Sequence, residues 1–589
     1  MKKVTVLCLE TEQEAALHQL QELGILHLVP IQPPAGEALE AARLHFQHVR
    51  RALEVLDPAA ADATPGGRDA DETVEEIWRV LRGRKEDEDA LGALRHEEQR
   101  LAPFGSFDPD EISRLRGQGV SIRLFQAPPN DVVSLPAGAV RIELGQDKAA
   151  LYFALVEKIS QGETPAVLAD AQELKLPERS LQAFREDIAR TEARLAEGEK
   201  KLLEHSRDYA RIARIVTQAE ERVEFLEARQ GMKGAEAIVW LQGFCPSKTL
   251  DAVLEEAKRH GWGVRAQDPD PEDLVPTLLS PPALFRPILR LFDFLGISPA
   301  YTEADISTAF FVFFTIFFAM LIGDAGYGAL MLLATLWMRH KKPEAPRDIF
   351  KLFSVFSLAT IGWGVLSGTY FGILPAALPP LLNHEAARWL AVQNNIMLVC
   401  FALGALHMSL GHLWNAIVLF PDSRFLAQVG WCGVVWTMFC AACAVVGIFA
   451  FPGIMYGVAG SSVVLIALFM LKRSELKTKG IDLGMLPLSI IGTLGDIISY
   501  VRLFAVATAS VKLAETFNGM AVGLNLPWAA KIPAMVLILL LGHGLNLMMG
   551  GLGILVHAVR LNTLEFSNHK GISWSGFAYR PFRRRLPAS

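Results

Sequence analysis

Hydrophobic and polar positions divide the chain into two unlike parts. Up to about Ser280 the sequence is rich in Glu, Arg and Lys and has no apolar run of membrane length. From Ile306 onward, long apolar stretches follow one another almost without interruption. Because 18 or more consecutive apolar residues are a candidate for a membrane span, the pattern predicts a soluble domain fused to a polytopic membrane domain.

The soluble part shows short strand patterns and helical periodicity in turn. Strands are predicted at 3–9, 120–125, 140–144, 151–156, 166–168, 237–244 and 264–266, and helices at 12–23, 36–56, 73–101 and 248–260. These segments predict small α/β lobes in sequence on both sides of a long helical region.

Two apolar rows with a period of seven mark that helical region. The stronger row contains Leu181, Ile188, Leu195, Leu202, Tyr209, Val216 and Val223, and the weaker row contains Phe184, Thr191, Gly198, His205, Ile212, Ala219 and Leu226. Two rows offset by three form the seam of a coiled coil. A helix of about 50 residues spans roughly 75 Å, and the helical stretches within 36–101 are its antiparallel partner candidates. We interpret this coiled coil as an arm that holds other subunits at a distance from the membrane. The alternative is a generic spacer.

The second part predicts eight membrane passes. Its first apolar stretch, 306–338, has 33 residues, and one helix of that length would be about 50 Å long, beyond the roughly 30 Å hydrocarbon core. Two short passes broken at the sequence GDAGYG (323–328) fit better. Six further runs follow at 352–374, 394–420, 425–451, 453–471, 485–517 and 532–561. The last two are long enough to require a strong tilt.

Basic residues predict the orientation of these passes. They concentrate in Arg339, Lys341, Lys342, Arg347 and Lys351 of one loop, in Lys472, Arg473, Lys477 and Lys479 of another, and in Arg580 and Arg583 to Arg585 of the tail. By the positive-inside rule these regions are cytoplasmic, whereas the predicted outside loops carry only Arg388 and Lys531. No signal-peptide pattern opens the chain. Both termini are therefore predicted to be cytoplasmic, in a multi-pass protein of the cell (inner) membrane.

These patterns predict four segments and one fold class. The segments are a cytoplasmic α/β domain with a coiled-coil arm (1–285), a linker to the membrane (286–305), an eight-helix membrane domain (306–566) and a basic cytoplasmic tail (567–589). The fold class is α/β lobes joined by a long antiparallel coiled coil, followed by an all-α polytopic membrane domain.

Composition excludes several classes of function. The net charge of −6 is modest for 589 residues and indicates no nucleic-acid partner. The six cysteines show no metal-ligand spacing, so neither a metal nor another cofactor is predicted. The sequence contains no GxxxxGK[ST] phosphate loop, and the chain is predicted to have no catalytic site of its own.

A polar stripe in the last two apolar runs carries the candidate chemistry. A charge such as Arg502 at the centre of a membrane helix costs roughly 2.5–3.5 kcal/mol on insertion scales. The side of the helix that carries Arg502 also carries Ser499, Val506, Ala509, Ser510 and Leu513. The last run places His543, Asn546, Gly550, Gly553, His557 and Arg560 at spacings of 3, 4, 3, 4 and 3. Polar groups that avoid lipid mark a bundle interior or an aqueous pathway. Histidine exchanges a proton near neutral pH, whereas arginine stays charged.

Each candidate also has a structural alternative. Arg502 could pair with Asp496 or Glu515, although on a straight helix these lie about 120° and 140° away from it. Arg560 could snorkel to the cytoplasmic surface. The remaining alternatives are packing roles for His543 and His557, a turn role for Asp324, an undecided role for Asp496, and structural roles for His407 and His412.

Four segments resemble the a subunit, also called subunit I, of rotary V-type and A-type ATPases. They are PTLLSPPALFRPILRLFDFLG, FFAMLIGDAGYG, GDIISYVRLFAV and GILVHAVRLNTLEF. The resemblance covers nearly the whole chain and is strongest for the last two motifs in this order. The chain is shorter than eukaryotic members and resembles prokaryotic ones.

The resemblance implies a role for each matching residue. Arg502 would face the carboxylate of the rotating proteolipid c-ring, Arg560 would support that interface, and His557 would be a polar residue one turn before Arg560. The full set of implied ion-translocation residues is Arg502, Arg560, His557, Ser499, His543, Asn546, Asp496 and Glu565, with Asp324 and His407 as possible pathway or turn residues. Gly550 stands where eukaryotic members have a carboxylate, so His543 or Asn546 are candidates to replace it.

The resemblance also implies partners and a mechanism. The chain would provide two ion half-channels, and its soluble arm would dock on peripheral stalk subunits of a complex that also has central stalk subunits and sits in the lipid bilayer. ATP chemistry would occur in other subunits, and the transported ion would be H⁺ or Na⁺. One alternative is a stand-alone secondary transporter, which predicts internal repeats that the sequence does not show. A passive membrane scaffold is another, and it leaves both arginine motifs unexplained.

Overall fold

The computed structural model describes residues 1–58, 70–128, 138–146, 150–158, 171–176, 179–343, 345–373, 379–380, 382–471, 481 and 484–585. Contacts divide the chain into two compact units. The first unit comprises Met1–Val6, Ile25–Leu28 and Gly243–Phe582, and the second comprises Leu7–Gly24, Val29–Gln242 and the C-terminal residues from Arg583.

The soluble sequence forms the predicted strands and helices at nearly the predicted positions. The strands are β1 (Lys2–Leu9), β2 (His27–Val29), β3 (Val120–Ala127), β4 (Val140–Gln146), β5 (Leu151–Lys158), β6 (Gln172–Leu174), β7 (Lys233–Ala235), β8 (Ile238–Cys245) and β9 (Gly263–Gln267). The helices are α1 (Gln13–Leu23), α2 (Glu37–Glu54), α3 (Ala70–Leu101), α4 (Pro109–Gly117), α5 (Leu181–His205), α6 (Tyr209–Gly231) and α7 (Leu250–His260). The predicted strand at 166–168 lies outside the described residues.

The strands form two sheets. One has the order β2-β8-β1-β9, with β7 paired to β8, and the other has the order β4-β5-β3-β6. In the second sheet β3 and β5 run antiparallel with Phe125 opposite Phe153. These two rings stack with centroids 5.6 Å apart and form a small core with Leu155 and Leu151.

The helical region contains two antiparallel helix pairs. Salt bridges Arg185–Glu98 and Arg194–Asp87 join α5 to α3, and Arg43–Glu227 joins α2 to α6. The heptad residues Leu202 and Ile212 are buried beside Val49, Ala52, Leu56, Val74 and Ile77. These two residues, one from each apolar row, therefore pack against the stretches that the sequence proposed as partners.

The single helix of about 50 residues that the heptads predicted is divided by a 3-10 turn at Ser206–Asp208. The Ser206 hydroxyl donates to the Leu202 carbonyl at 2.9 Å and accepts from the Asp57 N–H at 3.0 Å. A serine side chain that bonds to backbone groups competes with regular helix geometry. The turn therefore lies at the point where the segment that follows α2 is hydrogen-bonded to Ser206.

The second part of the chain is helical. Its helices are α8 (Ile288–Leu295), α9 (Ser307–Ile322), α10 (Ala325–Lys341), α11 (Arg347–Ser367), α12 (Glu385–Leu390), α13 (Gln393–Leu419), α14 (Phe425–Val446), α15 (Ile454–Phe469), α16 (Leu486–Ser499), α17 (Val501–Val522), α18 (Trp528–Gly553) and α19 (Ser567–Lys570). Two π-helical segments, Ile554–Ala558 and Leu561–Phe566, link α18 to α19.

Within the described residues, five helical stretches are long and apolar enough to cross a membrane, or six if the bent pair α9–α10 counts as one span. Helix α15 is apolar but shorter. The basic loop residues Lys472, Arg473, Lys477 and Lys479 lie outside the part that the structure describes.

The chain bends by 118° between α9 and α10, at the predicted GDAGYG break. Gly323 has φ +70°, which favours glycine, and Asp324 caps α10 by accepting from the Gly326 N–H at 2.8 Å. Its other oxygen accepts from the Gly372 N–H at 2.9 Å. These contacts match the turn role considered for Asp324.

Aromatic side chains of α9 dominate the core of the helical part. Phe310, Phe314 and Phe317 are almost fully buried and belong to one cluster with residues of α13, α16, α17 and the π-helical segments. This packing places α9 against the last two spans as an apolar wall.

Candidate functional site

Arg502 lies in the first turn of α17, directly after a helix break at Tyr500. The predicted run 485–517 is one apolar segment, but the structure divides it into α16 and α17. The Arg502 Nε donates to the Ser499 carbonyl at 3.0 Å, and its Nη2 donates to Glu565 Oε1 at 2.7 Å. Glu565 is 4% exposed at its side chain and Arg502 is 23% exposed. The break therefore supplies one acceptor, and the last span supplies the counter-charge.

The π-helical geometry of the last span brings Arg560 to the same carboxylate. Arg560 Nε lies 3.5 Å from Glu565 Oε1. In a regular α-helix, residues five apart point about 140° away from each other, whereas a π-helix repeats at i→i+5. The second π-helical segment thus places Glu565 between two guanidinium groups.

Part of the predicted face of α17 and part of the predicted stripe of the last span line one groove. Ser499, His543 and the two arginines are not among its lining residues. Its volume is about 410 Å³, and its lining includes Val506, Ala509, Ser510, Leu513, Asn546, Gly550, Gly553 and His557. The His557 Nδ1 and the Glu565 Oε2 are buried and have no hydrogen-bond partner among the described residues. Residues from the face predicted for α17 and from the stripe predicted for the last span therefore meet at this groove.

A first polar network lies further along α17 from Arg502. The Asn546 amide donates to the Tyr327 hydroxyl at 3.0 Å and to the Ser510 carbonyl at 2.9 Å, and the Ser510 hydroxyl donates to Asn546 Oδ1 at 2.9 Å. His543 Nδ1 lies 2.7 Å from the Tyr327 hydroxyl, and its Nε2 lies 3.1 Å from Asn518 Oδ1. The structure therefore joins His543 and Asn546 in one network.

A second polar network lies on the other side of Arg502. Asp496 Oδ2 is 3.1 Å from His569 Nε2, His569 Nδ1 is 2.9 Å from His412 Nε2, and His412 Nδ1 is 2.8 Å from Gln428 Oε1. Asp496 thus pairs with His569, while Glu515 pairs with Lys512 at 2.8 Å. Neither carboxylate pairs with Arg502, which agrees with their angles on the helical wheel.

His407 is fully buried next to the helix break. Its Nδ1 lies 2.9 Å from the Tyr500 hydroxyl, and its ring stacks on Phe313 and Phe566 with centroids 3.9 and 4.4 Å away. This arrangement ties His407 to the residue that separates α16 from α17.

Sequence reasoning missed several members of these networks. Tyr327 lies inside the GDAGYG motif, so its position was visible although its partner was not. Tyr500, Asn518 and His569 gave no periodic signal, because their partners lie on other helices. Glu565 was a candidate, but its pairing with Arg502 gave no signal because the two residues lie on different helices, 63 residues apart in the chain. No group of three His, Cys, Asp or Glu residues in the described ranges could hold a metal ion.

The fold and the site define a protein with several candidate membrane spans and a buried arginine–carboxylate pair. No family model matches the chain. It is 31% identical over 641 residues to V-type ATP synthase subunit I 1 of Treponema pallidum, covering 99% of each chain. It is 28% identical over 621 residues to V-type ATP synthase subunit I of Borreliella burgdorferi, again covering 99% of each.

An archaeal protein, the A-type ATP synthase subunit I of Methanocaldococcus jannaschii, is 27% identical over 374 residues, which cover 56% of this chain and 52% of that protein. The full-length match above 30% identity settles the assignment. The chain belongs to the V-type ATP synthase subunit I family, and it is a membrane subunit of such a complex.

Proposed function

We propose that the chain is the membrane stator subunit of a rotary V/A-type ATPase. It would provide two ion half-channels and the arginine that faces the proteolipid-ring carboxylate, for ATP-coupled translocation of H⁺ or Na⁺. The observation that supports this most is the position of Arg502, which is held by Ser499 and Glu565 and still has part of its side chain exposed.

The guanidinium group suits this role because it cannot lose its proton. A ring carboxylate that reaches Arg502 is favoured in its ionised form, so its bound ion is released. The same fixed charge opposes direct passage of a cation between the two half-channels. Arg560, whose Nε lies 3.5 Å from Glu565 Oε1, adds a second positive charge at this site.

The groove beside Arg502 supports an interface with a ring helix. Ala509, Gly550 and Gly553 are among its lining residues, and small residues let two membrane helices approach closely. Gly550 replaces a carboxylate of eukaryotic relatives, so the neighbouring Asn546 and His543 supply the polar groups on this side.

The two polar networks would be the half-channels. With eight passes and both termini cytoplasmic, α16 begins and α19 ends at the cytoplasmic side. Asp496, Glu565 and His569 then belong to the inner half-channel, and Ser510, Asn546 and His543 belong to the outer one. Ser510 lies about 12 Å along α17 from Arg502. An ion that crosses with a potential of 100 mV gains about 2.3 kcal/mol.

Eight passes require α9, α10 and α15 each to cross in addition to the five longer stretches. The basic loop after α10 supports a cytoplasmic position for that loop. The proposed domains are a cytoplasmic α/β domain (1–285), a linker (286–305), the channel domain (306–566) and a basic cytoplasmic tail (567–589), in the inner membrane.

The antiparallel helix pairs α3–α5 and α2–α6 support an arm built as a coiled coil. It would resist torque by docking on peripheral stalk subunits, while the membrane domain faces the c-ring and the complex turns on its central stalk. ATP hydrolysis or synthesis would take place in other subunits.

The test is ATP-driven ion uptake into vesicles that carry the assembled complex. Arg502→Ala should abolish uptake while the complex stays assembled. Lys512→Ala is the matched control, because Lys512 lies on the same helix, is exposed and pairs with Glu515. Uptake that survives Arg502→Ala would return the arginine to a structural role.

Copurification separates this function from its alternatives. A tagged chain should bring down a proteolipid ring and stalk subunits after gentle solubilisation. A stand-alone transporter would come down alone, and a passive scaffold would come down with partners but show no dependence of uptake on Arg502.

A further inference from the structure

A second groove lies in the first unit, among α8, α9, α10, α11 and the last span. Its volume is about 540 Å³. Arg290 on α8 is the one charged residue of its lining, Gly551 has no side chain, and the other lining side chains are apolar.

This groove is separate from the one beside Arg502. Leu547, Gly551 and Leu555 face it, whereas Asn546, Gly550 and Gly553 line the other groove. Ile322 lies between them, since it lines the second groove and its Cδ1 would be 3.0 Å from a Cβ added at Gly550. The proposal that follows is therefore independent of the function assigned to Arg502.

The groove is too short for a membrane helix of a partner. Phe314, Phe318 and Ile322 on α9 cover nine residues, and so do Leu547, Gly551 and Leu555 on the last span. The first and last residue of each set are therefore about 12 Å apart along the helix. A membrane-spanning helix follows a core of about 30 Å. A narrow, flexible hydrocarbon chain fits a groove of two helical turns better.

Arg290 on α8 places one positive charge at one end of the groove. Arg290 is 49% exposed at its side chain, and its nearest carboxylate, Asp293, is 3.9 Å away and 64% exposed. Such an exposed pair contributes little, so the guanidinium can bind another anion. Phe294, which is 73% exposed, lies one turn further along the same helix.

We propose that this groove binds an anionic phospholipid, with an acyl chain between α9, α11 and the last span and with its phosphate at Arg290. Basic pockets between membrane helices bind anionic head groups, and guanidinium groups match the geometry of phosphate oxygens. Because Ile554 and Leu555 belong to the first π-helical segment, the bound chain supports the part of the last span that precedes Arg560.

Lipid binding by the purified, delipidated complex tests this assignment. Dioleoyl phosphatidylglycerol and dioleoyl phosphatidylcholine are titrated separately, and the phospholipid retained by the complex is measured by native mass spectrometry. The wild type should retain phosphatidylglycerol in preference to phosphatidylcholine.

Two pairs of variants locate the site. Gly551→Leu places a side chain in the groove. A Cβ at Gly551 meets nothing within 4 Å, so the variant can fold. Its control is Gly544→Leu, because Gly544 lies on the same helix and a Cβ there also meets nothing within 4 Å. Arg290→Gln should weaken phosphatidylglycerol binding about fivefold, and Arg286→Gln, at an exposed residue outside the lining, should leave it unchanged.

The outcomes are distinct. Loss of retained phosphatidylglycerol in Gly551→Leu but not in Gly544→Leu supports the site. Three results would overturn the site: equal lipid retention in Gly551→Leu and Gly544→Leu, equal affinity of the wild type for the two lipids, or loss of subunit assembly in Gly551→Leu with lipid binding intact. The last result would show that a protein partner occupies the groove.

Discussion

Glu565 Oε1 on the last membrane span lies 2.7 Å from Nη2 of Arg502, which is 63 residues earlier in the chain. The same oxygen lies 3.5 Å from Nε of Arg560. One buried carboxylate therefore positions both arginines of the two motifs. This relationship makes the arginine pair a single electrostatic unit.

Replacing Glu565 by Gln should reduce ATP-driven uptake at least about tenfold, which corresponds to about 1.4 kcal/mol in a barrier. Removing one partner of a buried ion pair costs about 3–5 kcal/mol, so Arg502 should change position. Glu515→Gln is the control, because Glu515 is 45% exposed at its side chain and pairs with Lys512. Normal uptake in Glu565→Gln would mean that the pair is dispensable.

Gly404→Ala should disturb the helix break beside Arg502. A Cβ at Gly404 would lie 2.7 Å from ring atoms of Tyr500, and overpacking of this kind costs about 1–3 kcal/mol. Uptake and the melting temperature of the membrane part should both fall. Gly457→Ala, where a Cβ meets nothing within 4 Å, should leave both unchanged. A wild-type melting temperature in Gly404→Ala would contradict the packing.

Acidification should loosen the C-terminal segment at His27. Burial lowers the pKa of His27 below its ordinary value of 6.5, and its Nδ1 accepts from the Arg580 N–H at 3.0 Å. The folded state favours the neutral ring, so this stabilisation is present above pH 6.5 and is lost as the pH falls through the lower pKa of the folded state.

Hydrogen exchange of residues 577–582, corrected for the intrinsic rate, should therefore show less protection at pH 5 than at pH 7.5. Arg580 is the charged neighbour that adds to the effect, since it repels the protonated ring. His27→Gln keeps an acceptor but cannot take up the proton, and its protection should not change with pH. Equal pH dependence in both proteins would exclude His27 as the cause.

Adjacent leucines in the arm should respond differently to truncation. Leu202 is 6% exposed and packs with Val49, Ile77 and Ile212, whereas Leu203 is 56% exposed. Truncating a buried leucine costs about 2–5 kcal/mol, so Leu202→Ala should speed hydrogen exchange in α5 at least about tenfold. Leu203→Ala should not. Equal effects would mean that the helix pair has another register.

The local elements follow from the sequence because they depend on neighbouring residues. Of the seven residues in the stronger row with a period of seven, Leu181, Ile188 and Leu202 are buried, and Leu195, Tyr209, Val216 and Val223 are half-buried. The strands and the break at GDAGYG lie close to their predicted positions for the same reason, since alternation and glycine act over a few residues. The number of membrane passes and the coiled coil remain predictions.

The tertiary structure decided which polar residues meet. A helical wheel assumes 3.6 residues per turn, and the π-helical segments change that spacing, so Glu565 and Arg560 lie on one side of the last span instead of about 140° apart. Tyr500, Asn518 and His569 join the site through partners on distant helices. The sequence alone determined the apolar runs and the candidate arginines, because these depend on composition and short-range periodicity, whereas the predicted domain boundaries remain predictions. The pairing of charges needed the packed helices, because hydrogen bonds act over about 3 Å between atoms that the chain brings together only when folded.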